Sequence, residues 1–63
     1  MAERVTWFVF GRREYQEPLT QIGRLELAAG ASVSEATRQE YGDQWLELVA
    51  IPESRIRWAI RED

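Results

Sequence analysis

From Val5 to Phe10 the chain reads Val-Thr-Trp-Phe-Val-Phe, and strand alternation sends Val5, Trp7 and Val9 to one side and Phe8 and Phe10 to the other. Both faces of this first strand are apolar, the pattern of a sheet that is covered on two sides. Gly11 to Pro18 is polar with a breaker at each end and predicts a hairpin loop. Leu19 to Leu27 alternates as a second strand, with Leu19, Gly23, Leu25 and Leu27 on the core side and Thr20, Ile22, Arg24 and Glu26 on the other. Ser32-Val33-Ser34-Glu35 has the form of a capping box, with Ser32 as N-cap and Glu35 at the third helical position. Val33, Ala36, Thr37 and Tyr41 then form one stripe, and Gly42 stands where a C-cap is wanted, so a helix of about two and a half turns is expected. Gln44 to Ile51 predicts a third strand, stopped by Pro52. It carries Leu46, Leu48 and Ala50 on one face and Trp45, Glu47, Val49 and Ile51 on the other. Beyond it, a turn at 53 to 55 and a short edge strand over Ile56, Trp58 and Ile60 are expected, although Ile56 and Ile60 are also spaced as in a helix.

These elements predict one α+β domain over residues 1–63: an antiparallel or mixed sheet of three to four strands with one helix packed on one face. Leu25, Leu27, Leu46 and Leu48 are expected to meet the helix stripe. The other face has no layer of its own in so short a chain, and small domains bury only about 60% of the surface their unfolded chains expose. The chain has no cysteine and no histidine, so neither a disulfide nor a structural zinc site is available as a staple. Association with another protein, first of all a second copy, is the remaining route to stability. Trp7, Phe8, Phe10, Ile22, Arg24, Trp45, Glu47, Val49 and Ile51 are the residues expected at that interface, since aromatic, aliphatic and arginine side chains are what interface cores favour.

Charge narrows the class of partner. Eight arginines, no lysine and eleven acidic residues give a net charge of −3. The one local basic pair, Arg12-Arg13, is followed by Glu14 and Glu17, which does not make the basic stripe of a nucleic-acid binder. Trp7, Phe8 and Phe10 could stack bases as single-strand RNA binders do, but the acidic balance speaks against it. No apolar stretch approaches the roughly 20 residues of a membrane span, and the chain is expected to be cytoplasmic. Planar guanidinium groups suit interface ion pairs with carboxylates better than ammonium groups do.

No catalytic, cofactor or metal site is expected. With no Cys, His or Lys, the chain has few candidates for a nucleophile or a base poised near neutral pH. Glu47 stands on an otherwise apolar face, where burial could raise its pKa, but pairing with Arg24 or Arg57 accounts for it better. Ser32 and Ser34 are better explained by capping than as hydroxyl nucleophiles. Glu35 with Gln39 and Glu40 with Asp43 lack the spacing of a calcium loop.

Val9-Phe10 with Arg12 two residues on, a loop, Ile22-Gly23 with Leu25 two beyond, a helix carrying Arg38 and Tyr41, and Trp45 before Ile51-Pro52 form a combination that resembles the small B subunit of the bacterial phenylacetyl-CoA epoxidase complex. The resemblance covers roughly residues 5 to 56. It implies a non-catalytic assembly subunit of a multicomponent aerobic oxygenase that epoxidises the aromatic ring of phenylacetyl-CoA. In that family the di-iron centre lies on a separate helical subunit and electrons arrive from a separate reductase. The partners implied are a second copy of the chain and larger oxygenase subunits. An alternative of another class is a small ferredoxin-like dimer that binds an aromatic metabolite, with Glu47 or Tyr15 supplying a polar contact.

Overall fold

The computed structural model describes residues 3–59, and within them the order is β1 (Arg4–Arg12), β2 (Thr20–Ala28), α1 (Val33–Tyr41), β3 (Glu47–Pro52) and a 3-10 turn (Glu53–Arg55). The strands form one antiparallel sheet in the order β2-β1-β3, and with one helix this is the expected small α+β fold. Because β2 and β3 both run antiparallel to β1, they are parallel to each other on its two sides. The helix makes the connection between them.

Local chemistry sets the helix ends. The Ser32 hydroxyl accepts a hydrogen bond from the Glu35 backbone N–H at 3.4 Å, and Gly42, at a φ of 87°, donates its own N–H to the Arg38 carbonyl at 2.8 Å. The positive φ is the reason for glycine there. Val33, Ala36 and Tyr41 are half-buried and Thr37 is buried, so the expected stripe faces the sheet. Thr37 satisfies its hydroxyl by donating to the Val33 carbonyl at 2.7 Å.

Directly paired residues share a face. Val5, Trp7, Val9 and Gly11 of β1 therefore lie on the helix side with Leu27, Leu25, Gly23 and Thr20 of β2 and with Pro52, Ala50 and Leu48 of β3. The outer side carries Phe8 between Arg24 and Ile51, Phe10 between Gln21 and Val49, and Arg12 opposite Glu47. The Tyr41 side chain packs over Gly23, where a Cβ would overlap its hydroxyl. The core is thin: Val9 (0% exposed) and Phe8 (7%) are the buried apolar side chains among the described residues.

Several expectations are corrected. Gly11 is not a turn residue but a buried position of β1, because a Cβ there would stand 3.0 Å from both the Trp45 ring and Leu48. The third strand begins at Glu47 rather than Gln44, and Leu46, outside it, is 40% exposed instead of meeting the helix. Residues 56–59 form neither strand nor helix, and Ile60 lies outside the described residues. Pro52 ends the ladder, the 3-10 turn redirects the chain, and the Trp58 ring packs edge-on against Phe8, with centroids 6.1 Å apart and an interplanar angle of 71°. The chain therefore supplies part of the second layer itself. Among the described residues no helix is long and apolar enough to cross a membrane.

Candidate docking surface

The outer sheet face is apolar along its centre. Phe8, the most buried part, lies under Trp58, whereas Phe10, Val49 and Ile51 keep intermediate exposure. Charged groups rim this strip. The Arg12 guanidinium donates to Glu47 Oε1 at 2.8 Å and to the Tyr15 carbonyl at 3.1 Å, tying the end of β1 to both the hairpin loop and β3. Glu47 thus pairs with Arg12, its direct cross-strand neighbour, and not with Arg24 or Arg57 as expected. Both side chains are substantially exposed, so the pair contributes little to stability, about 0–1 kcal/mol at most. Arg24 and Glu26, on β2, make no ion pair among the described residues.

The residues expected at one interface are divided between two sides. Phe8, Phe10, Arg24, Glu47, Val49 and Ile51 share the outer face. Trp7, Ile22 and Trp45 lie on the helix side. Trp7 is there by its register with Leu25 and Pro52. Ile22 moves because of an irregularity in the pairing: Val9 stands opposite Gly23 and Phe10 opposite Gln21, so Ile22 is an extra residue on β2. Beyond it the alternation reverses, and Ile22 lines a cleft with Gly11, Thr20 and Trp45. Trp45 precedes β3, donates its indole N–H to the Tyr41 carbonyl at 2.9 Å, and holds the Arg13 guanidinium 4.6 Å over its ring. It fastens the helix end to the hairpin.

A second concavity of about 390 Å³ opens between helix and sheet, lined by Trp7, Val33, Ser34, Thr37, Arg38, Leu48 and Ala50. Its polar groups are largely engaged: Thr37 by the Val33 carbonyl, Arg38 by Asp43 at 3.2 Å. Neither Glu47 nor Tyr15 lines it. Tyr15 is 78% exposed at the hairpin, whose backbone is held by the Glu17 carboxylate accepting from the N–H groups of Arg13 and Glu14 at 2.7 and 3.0 Å. Every buried side-chain nitrogen or oxygen among the described residues has a hydrogen-bond partner. No group of three or more metal-ligating side chains occurs among them.

Sequence reasoning missed Trp58 as the cover of Phe8, Arg12 as the partner of Glu47, and the Arg13–Trp45 stack. Arg12 was legible in principle, as the residue that an antiparallel register from Phe10 opposite Val49 places across from Glu47. The other two depend on how irregular segments return to the sheet.

By its geometry the chain is a small antiparallel α+β domain with a partly covered apolar sheet face. It matches no family model, no curated protein and no solved structure.

Proposed function

We propose that the chain is a non-catalytic assembly subunit of a multicomponent aromatic-ring oxygenase acting on phenylacetyl-CoA, and that its outer sheet face docks onto a larger subunit. The observation that carries the reading is the state of that face: Phe10, Val49 and Ile51 remain partly exposed in a line, rimmed by Arg12, Arg24 and Glu47. An apolar centre with a charged rim is the anatomy of a protein interface. The resemblance of residues 5 to 56 to the epoxidase B subunit supports the choice of partner.

The role assigned is structural. The chain holds the complex together while other subunits bind substrate, activate oxygen and deliver electrons. Epoxidation of phenylacetyl-CoA by the reconstituted complex, measured with and without this chain, tests the assignment. The account expects turnover to fall when the chain is left out and to return when it is added back. Equal rates in both mixtures would remove the assignment.

The cleft of about 390 Å³ between helix and sheet favours a second reading, a module that binds an aromatic carboxylate against Trp7 and Leu48 with Arg38 at its mouth. Calorimetric titration of the isolated chain with phenylacetate separates the two. Saturable binding supports the module, and its absence leaves the assembly role.

A further inference from the structure

We propose that β2 is a self-pairing edge: two copies of the chain join antiparallel along β2 about a two-fold axis at Leu25, extending the two sheets into one of six strands. The inference concerns the chain with itself and does not rest on the oxygenase assignment.

β2 runs nine residues from Thr20 to Ala28, lies at the outside of the sheet, and contains no proline or lysine to blunt it. The other edge, β3, has six residues and ends in Pro52. Hydrogen-bond direction alternates along β2. Ala29 donates its N–H to the Glu3 carbonyl at 2.8 Å, so in step with it Leu27 and Leu25 bond inward to β1, and Arg24 and Glu26 present their N–H and C=O groups to the free edge, whereas the Ala28 carbonyl already accepts from the Ala31 N–H at 3.0 Å.

Two-fold symmetry leaves few registers. Only outward-bonding residues can exchange hydrogen bonds, so the axis passes through a residue and not between two. An axis at Arg24 places that guanidinium opposite its own copy, and an axis at Glu26 does the same with two carboxylates; like charges directly opposite are destabilising. An axis at Leu25 places Arg24 opposite Glu26 of the second copy, and Glu26 opposite its Arg24. Both side chains are exposed on the outer face and neither has an ion-pair partner within the described residues of its own chain. The same register brings Leu25 against Leu25 on the helix side as a close, non-hydrogen-bonded pair, and Leu27 opposite Gly23, beside the Tyr41 ring that packs there. An axis at Leu27 would pair Glu26 with Ala28, whose carbonyl is already taken by the Ala31 N–H, and an axis at Gly23 would draw the extra residue Ile22 into the pairing, so charge and hydrogen-bond direction favour the axis at Leu25.

The chain contains no cysteine, so a single introduced thiol reports the contact. Across a non-hydrogen-bonded pair the Cα atoms stand about 4.5 Å apart, inside the range a disulfide spans. The full chain carrying Leu25→Cys is expected to oxidise to a covalent dimer, whereas Val49→Cys, on the outer face, is not. In sedimentation equilibrium at micromolar concentration, Arg24→Glu and Glu26→Arg are each expected to raise the dimer dissociation constant about tenfold or more, and the double exchange R24E/E26R to restore it to near the wild-type value. These surface exchanges keep the test valid even if Leu25→Cys disturbs folding. A monomeric wild-type chain, a dimer cross-linked through Val49→Cys but not Leu25→Cys, or a double exchange no better than the single ones would each overturn the pairing. The pairing and the oxygenase assignment fail separately, since turnover of the reconstituted complex is read on a different mixture.

Discussion

Gly23 makes room for the Tyr41 side chain at the end of the helix. Its missing side chain is filled by the Tyr41 hydroxyl, and Tyr41 is the last residue of a helix whose next position, Gly42, ends it. Gly23→Ala is therefore expected to cost about 1–3 kcal/mol in urea unfolding, the usual penalty for overpacking. Tyr41→Phe made in the same background should recover part of that loss, because it removes the atom that the new methyl meets. Unchanged stability in Gly23→Ala would mean that the helix end adjusts freely. At this scale much was legible in the sequence. Ser32, Glu35 and Gly42 act through hydrogen bonds and φ angles a few residues away, so their roles follow from spacing alone. Glu47 was legible as an ion-paired residue, but not its partner, since the choice among Arg12, Arg24 and Arg57 depends on which strands are neighbours.

Elements show where reading from the chain stops. The alternation of β1 and of the later part of β2 is correct residue by residue, up to the extra residue at Ile22. One insertion of that kind reverses every face beyond it, which is why Ile22 falls on the helix side. Trp45 follows the alternation of β3 in sequence but is drawn out of the strand by the Tyr41 carbonyl and the space over Gly11. The segment after Pro52 fits two periods and adopts neither, because the Phe8 ring offers Trp58 an aromatic surface that neither period describes. That contact gives the segment its role as cover. Trp58→Ala is expected to destabilise the domain by about 1–2 kcal/mol, from the aromatic pair and the apolar area it removes from water. It should also weaken the near-ultraviolet dichroism of the aromatic pair. Wild-type stability and spectrum in this variant would mean that Phe8 is buried without it.

On the scale of the whole molecule, the described residues form a thin core, a partly covered face and a long free edge at β2. The face and the edge fit together. Pairing through β2 places the Arg24–Glu26 contacts of both copies on the same side of the extended sheet, so the two outer strips of Phe10, Val49 and Ile51 lie on that side too. The dimer proposed above would present two equivalent strips on one side, as the proposed assembly role requires. The residues expected at one interface are divided by the fold between the two sides of the sheet. Phe8, Phe10, Val49 and Ile51 belong to one surface, while Trp7 and Trp45 serve the inside of the same small domain.

The most direct measurement of that claim is co-elution of the purified chain with the larger subunits of a phenylacetyl-CoA epoxidase, followed by light scattering, for the wild type and for Val49→Glu. Val49 is half-buried on the outer face, and a carboxylate there is unpaired in any apolar interface. The account predicts a stable complex with the wild type and its loss with Val49→Glu, while the far-ultraviolet dichroism of the isolated variant stays unchanged. A wild-type chain that elutes alone, or a folded Val49→Glu chain that binds as tightly as the wild type, would contradict it.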